Sequence, residues 1–225
     1  MRTWRPPFTS LGRVLLALDT ATPAVTVAVA DGDSVLAHRC TVDARRHGEL
    51  LAPTIASVLA EAGIDRRSLT QVAVGVGPGP FTGLRVGLVT ARTLGAVLDI
   101  PVVGVCTLDA LALQSGLDGE FRVVTDARRQ QVYWAAYTTD GGLHRVEGPR
   151  VDAPADVAWD GPAVGVGASM YAESFPGHCG PDYPSAADLC RWVVRGLPLL
   201  APDPLYLRRP DAVERDLQSA RKRVL

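Results

Sequence analysis

The chain has 225 residues, 47% of them hydrophobic, and a formal net charge of −1; it is therefore globular, long enough for one large domain or two small lobes, and without a global field that would draw it to nucleic acid or an anionic membrane. Lys222 is its only lysine and follows no glycine, which excludes a P-loop, a kinase strand lysine and Schiff-base chemistry. Cys40, Cys106, Cys179 and Cys190 stand apart, and His38, His47, His144 and His178 have no metal-ligand spacing, so neither a disulfide framework nor a zinc site is expected.

Residues 1–13 carry Arg2, Arg5, Arg13 and Pro6-Pro7 with no continuous apolar stretch, which predicts a disordered arm and no signal peptide. The apolar run Val14 to Asp19, the turn Thr20 to Pro23, the run Ala24 to Ala30 ending at Asp31-Gly32, and the segment Ser34 to Val42 predict a three-stranded meander. A helix follows from His47, with apolar residues at Leu51, Ile55, Val58, Leu59 and Ala62 and a stop at Gly63. Gln71 to Val76 reads as a strand covered on both faces. The loop Gly77-Pro-Gly-Pro-Phe-Thr-Gly83 then feeds a helix from Thr82 to about Leu98, closed by Ile100-Pro101. Val102 to Val105 reads as a strand and Thr107 to about Gln114 as a short helix. No apolar run reaches the roughly 18 residues of a membrane span.

A second lobe starts near Gly116–Gly119 and repeats the first plan. Phe121 to Asp126, the turn Ala127 to Gln130, the run Gln131 to Tyr137 ending at Asp140-Gly141-Gly142, and Leu143 to Val151 form another meander with a carboxylate at its first turn. Ala163 to Val166 is predicted as a strand, Ala186 to Gly196 as a helix, and Pro202 to Arg208 as extended. The resulting division is an arm (1–13), an N-terminal lobe (14–115), a smaller C-terminal lobe (116–209) and a basic tail (210–225), the tail being read as solvated. Duplicated lobes whose first hairpins face a shared cleft are similar in plan to actin, sugar kinases and the Hsp70 nucleotide-binding domain.

In such a cleft Asp19 could position a metal-bound water while Thr20, Thr22 and the backbone hold phosphate; the alternative is that these side chains only close the turn. Arg128 beside Asp126 could grip an anion or brace the lobes. Gly79 belongs to a loop that opens on a helix N-terminus, where anions are favoured, and the same loop also serves as a rigid strand-to-helix turn. Gly83, Gly87, Ala91 and Gly95 recur at steps of four in one helix. Each interior glycine costs about 1 kcal/mol relative to alanine, so the ridge points to the close approach of a partner helix, with internal packing against the sheet as the alternative, above all for Leu84 and Leu88. His47 is read as a cap or solvated residue.

Leu-Ala-Leu-Asp-Thr-Ala-Thr (16–22), Arg-Arg-His (45–47) with Leu-Leu-Ala-Pro (50–53), Gly-Val-Gly-Pro-Gly-Pro-Phe-Thr-Gly-Leu-Arg-Val-Gly (75–87), Asp-Ala-Arg (126–128) with Val-Tyr-Trp (132–134), and Pro-Leu-Tyr-Leu-Arg (204–208) together resemble the TsaB (YeaZ) family. The resemblance implies an actin-like (ASKHA) α/β fold: a duplicated ribonuclease-H-like unit, two lobes with mixed β-sheets flanked by helices. It implies a non-catalytic cytoplasmic subunit in the making of threonylcarbamoyladenosine in tRNA, with a TsaD-like catalytic paralogue and a TsaE-like ATPase as partners. Alone the chain would form a homodimer, and it would meet tRNA only through the complex, with no membrane.

The resemblance requires no cofactor, weak ATP and magnesium apart. The paralogue's metal-binding His-x-x-x-His falls where this chain reads Thr107-Leu-Asp-Ala-Leu-Ala-Leu, so no metal ligand and no catalytic residue is expected. The expected partner interface is Leu50, Thr54, Val58, Gly83, Leu84, Gly87, Leu88 and Ala91; the nucleotide candidates are Asp19, Thr20, Thr22, Gly79, Asp126 and Arg128. The competing function is an ATPase, a kinase or a metallopeptidase-like enzyme acting alone.

Overall fold

The computed structural model describes residues 14–208; the arm 1–13 and the basic tail 210–225 lie outside the described residues. Two five-stranded sheets share one topology. In the first, β1 (Val14–Asp19), β2 (Ala24–Asp31) and β3 (Ser34–Val42) form the antiparallel meander, and β4 (Gln71–Gly75) and β5 (Val102–Val105) continue it in parallel, in the order β3-β2-β1-β4-β5. In the second, β6 (Glu120–Asp126), β7 (Val132–Thr138) and β8 (His144–Asp152) form the meander, and β9 (Ala163–Val164) and β10 (His178–Cys179) continue it, giving β8-β7-β6-β9-β10. Antiparallel hairpins are local, whereas each parallel neighbour needs a crossover. The same mixed order arising twice is the duplicated ribonuclease-H-like, actin-like fold that the sequence predicts.

Helices fill both faces of the first sheet. On one face α1 (His47–Ala62) and α2 (Phe81–Leu98) bury Leu51, Ile55, Val58, Leu84, Leu88 and Ala91 against Leu16, Leu18, Val25 and Val72. α1 ends as predicted at Gly63, which is left-handed (φ 67°) and donates to Ala60 O. α2 is the one described helix long and apolar enough to cross a membrane by composition, yet one side of it lies in this core.

The opposite face is covered by α5 (Ala186–Val194), whose Leu189, Cys190 and Val193 pack on Leu15, Ala17, Ala28 and Ala73. This corrects the lobe boundary: a helix assigned to residues 116–209 completes the core of the N-terminal lobe. The chain then runs back along the first sheet. Leu200 and Gly104 of β5 exchange backbone hydrogen bonds (2.8 and 2.9 Å), and Leu205 N donates to Val76 O.

α3 (Thr107–Ser115) lies between the lobes. It packs against α5 on one side and against β6 and β7 on the other, where Leu108 and Leu111 meet Phe121, Val123 and Tyr137. Buried Asp109 accepts from Tyr137 Oη at 2.7 Å and pairs with Arg145 at 3.2 Å, so a polar tie crosses the same junction. On the second sheet's outer face the short α4 (Val166–Met170), the 3-10 turn Pro154–Val157 and Phe175 pack over Val124 and Trp134. α4 and β10 fall where no element is predicted, and β9 is shorter than predicted.

Candidate functional site in the cleft between the lobes

Asp19 ends β1 and is 0% exposed. One carboxylate oxygen accepts from Ala21 N at 2.6 Å, the other from Thr107 Oγ1 at 2.7 Å. Gly75 lies so close behind it that any side chain there would overlap the carboxylate. Burial pushes the Asp19 carboxyl up to about 6, against the opposing pull of the Thr107 and Ala21 hydrogen bonds and of nearby His47. A carboxylate held this way is closed to a metal-bound water, which removes Asp19 from the nucleotide candidates.

Thr107 joins two loops through the same hydroxyl, which also accepts from Gly77 N at 3.1 Å, while Thr107 N donates to Gly77 O. α3 thus holds the glycine-proline loop in place. Gly79 of that loop is buried, its Cα against the Ala21 carbonyl; it is a packing glycine and not a phosphate contact.

The glycine ridge of α2 faces inward. Thr20 Oγ1 donates to Gly83 O at 2.7 Å and accepts from Gly87 N at 2.9 Å. A Cβ on Gly83 would stand 2.7 Å from Thr20 O, and one on Gly87 2.6 Å from Thr20 Oγ1. Gly95 abuts Val102, and Leu84, Leu88 and Ala91 are buried in the core. The expectation that Gly83, Leu84, Gly87, Leu88 and Ala91 present a seam to another chain is therefore overturned: the absent side chains make room for the β1–β2 turn of the same subunit. Val58 is 0% exposed and leaves the interface set for the same reason. Leu50 and Thr54 stay half-buried, with Thr54 Oγ1 donating to Leu50 O at 2.7 Å.

In the second lobe the corresponding turn is open. Asp126 accepts from Arg128 N at 2.8 Å and pairs with Arg128 Nε at 3.4 Å. Arg128, Arg129 and Gln130 all have positive φ (61°, 54° and 57°), a left-handed run that costs L residues roughly 1–2 kcal/mol each. Arg208 secures it, donating to Ala127 O at 2.8 Å and to Gln131 Oε1.

Of the six nucleotide candidates, the structure brings Thr20, Thr22 and Arg128 to the wall of one cavity of about 270 Å3 and leaves Asp19, Gly79 and Asp126 off it. Thr22 Oγ1 accepts from Ala24 N, and Thr22 O accepts from His47 Nε2 at 2.8 Å. A carbonyl only accepts, so His47 carries its proton on Nε2. His47 is thus a buried brace, neither the helix cap nor the solvated residue expected. Arg45, His47, Gly48, Pro80 and Thr82 also line the cavity; of these, Arg45 and His47 stand in one of the family stretches read from the sequence. Among the described residues no group of three or more His, Cys, Asp or Glu side chains is placed to share a metal ion. α3, where the paralogue's metal histidines would fall, buries Thr107, Leu108, Asp109, Ala110 and Leu111 instead, so its residues do not fit that metal.

The family model for TsaD, tRNA N6-adenosine threonylcarbamoyltransferase, matches residues 35–212. An uncharacterised protein of Mycobacterium tuberculosis (strain H37Rv) is 49% identical over 205 residues, spanning 88% of this chain and 93% of the relative. The tRNA threonylcarbamoyladenosine biosynthesis protein TsaB of Bacillus subtilis is 35% identical over 130 residues, 57% of each chain. YeaZ from Pseudomonas aeruginosa has a solved structure that superposes with a TM-score of 0.73 at 30% identity, covering 87% of this chain and all of that one. With the duplicated sheets, the glycine-proline loop seated on the first hairpin, and 30% identity to YeaZ over 87% of this chain and all of that one, the chain belongs to the TsaB (YeaZ) family.

Proposed function

We propose that this chain is a non-catalytic accessory subunit in threonylcarbamoyladenosine modification of tRNA, pairing with a TsaD-like catalytic paralogue and working with a TsaE-like ATPase in the cytoplasm. The observation that carries the reading is the closure of Asp19. At the place where an actin-like cleft would position a metal or a water, the carboxylate is fully buried and both its oxygens are taken by Ala21 N and Thr107 Oγ1. The residues of the first hairpin serve to fix α2 and α3, which is what a rigid docking lobe requires and what a turnover site does not.

With the glycine ridge turned inward, the docking surface we propose is the outward side of the α1–α2 layer. Val89 and Val97 are 61% and 76% exposed on α2, Phe81 is also exposed, and Leu50 and Thr54 are half-buried on α1. The occupant is the corresponding helix pair of the paralogue, or of a second copy when the chain is alone, in an isologous or pseudo-symmetric contact.

The test is reconstitution of tRNA modification from the paralogue, the ATPase and the carbamoyl-adenylate synthase, with and without this chain. Modification is expected only when all are present, and the isolated chain is expected to hydrolyse no ATP. Full activity without the chain, or turnover by the chain alone, overturns the reading. Val89→Lys with Val97→Lys is expected to abolish pairing in sedimentation at unchanged thermal stability; pairing that survives moves the interface elsewhere.

A further inference from the structure

Residues 200–208 cross the molecule as a strap that ties β5, α2 and the second lobe together. Backbone bonds fix its base: Leu200 N donates to Gly104 O at 2.9 Å, and Leu205 N donates to Val76 O at 2.8 Å, at the root of the glycine-proline loop. From these anchors its side chains take hold of the outward side of α2. Asp203 pairs with Arg92, and Tyr206 Oη accepts from Arg85 Nε at 2.9 Å. The Tyr206 ring stacks on Phe81 with 5.3 Å between centroids, and the Arg85 guanidinium lies 3.8 Å from the centre of the Phe81 ring, a cation–π contact. Arg85, Val89 and Arg92 follow one another at steps of four and three, so they share one helix face, and Phe81 and Val89 belong to the docking surface. Two residues beyond Tyr206, Arg208 donates to Ala127 O and to Gln131 Oε1 in the second lobe.

The far end of the strap therefore grips the one described turn in which three successive side-chain-bearing residues, Arg128, Arg129 and Gln130, are held at positive φ. L residues avoid that conformation. The turn is closed by Ala127 N to Gln131 O at 3.0 Å and Gln131 N to Arg128 O at 3.1 Å, and release of Arg208 would let it relax. We infer that the strap couples the docking face of α2 to this turn. The Tyr206 stack and the Arg92–Asp203 pair are both exposed. A partner seated on Phe81 and Val89 closes over them, restricts the strap and holds Arg208 on the turn. The backbone anchors keep the strap in place while this happens. The coupling is reciprocal: whatever fixes the turn strengthens docking by the same factor. The partner rests on the accessory reading, whereas the link from α2 to the turn is internal to this chain.

The test is amide hydrogen exchange of the full chain, read at residues 127–131. Arg92→Glu on α2 is expected to speed exchange there about two- to fivefold, the range that an exposed ion pair commands. Adding Asp203→Arg, which rebuilds the pair with its charges exchanged, is expected to restore the original rate. Tyr206→Ala should speed the same amides, while Arg39→Glu, which breaks the exposed pair with Glu61, should not. Exchange at residues 121–125 of β6 is expected to stay constant throughout, which separates a local release from general loosening. Pairing of the unmodified chain, followed by sedimentation, is expected to slow exchange at 127–131. The inference is overturned if Arg92→Glu and Tyr206→Ala leave the turn unchanged, if the exchanged pair fails to rescue it, or if pairing does not slow it. Absence of pairing undoes the docking surface and not the link, which the charge reversal and its rescue decide.

Discussion

The two first turns of the duplicated unit share their leading aspartate and little else. Asp19 and Asp126 each end the first strand of a meander, and each accepts a backbone hydrogen bond from two residues on. In the first lobe an 18-residue helix lies against the turn through Gly83 and Gly87, and the turn sinks into the core. In the second lobe the corresponding helix has five residues, and the turn stays in solvent with three left-handed residues. A shared plan fixes where a carboxylate sits along the strand; the length of the helix laid over it decides how far the turn beyond it sinks, so the Asp126 side chain is 10% exposed while Arg128, Arg129 and Gln130 stand at the surface. One turn became part of the core, and the other stayed at the surface, tied down by Arg208.

The contrast can be broken most severely at Gly87. Gly87→Leu would drive side-chain atoms into Thr20 and Leu18 and is expected to destabilise the monomer by at least about 3 kcal/mol, read as loss of cooperative unfolding or a much lower urea midpoint. If the protein stays fully stable and loses only pairing, the inward ridge is wrong.

The next effect is a pH dependence. Between the ordinary value of 3.8 and about 6, folded Asp19 keeps a proton that the unfolded chain releases. Stability from this group is complete below about pH 4 and falls as pH rises through 6, by about 3 kcal/mol. The difference in urea stability between the unmodified protein and Asp19→Asn should shrink over that window; a constant difference would show that Asp19 is not buried as a neutral acid.

Two smaller changes sharpen the second turn. Arg208→Ala removes a charged donor from Ala127 O and Gln131 and should cost about 1–3 kcal/mol, with faster amide exchange at residues 127–131. Gln130 is exposed at φ 57°. Gln130→Gly should gain about 0.5–1 kcal/mol by relieving the left-handed strain, and the same change at Pro23 of the first turn should gain nothing.

Much of this was legible in the chain. Short β-rich runs broken at Asp31-Gly32 and at Asp140-Gly141 mark both meanders because hairpins are encoded locally. Gly63 marks the end of α1 for an equally local reason. The glycine ridge was visible too, but an apolar helix does not announce which side meets the sheet. That answer depends on the Thr20 hydroxyl, brought against Gly83 and Gly87 only by the fold. α4 and β10, five and two residues long, are too short to show a period.

α5 and the segment after it have a bearing on biosynthesis. Leu15, Ala17, Ala28, Ala30 and Ala73 await Leu189, Cys190, Trp192 and Val193, which follow them in the chain by more than a hundred residues. The first sheet must therefore stay half wrapped until residues 186–194 have emerged. A nascent chain stalled near residue 150 should be open to proteases and a target for chaperones, and no excised front half should persist as an autonomous unit.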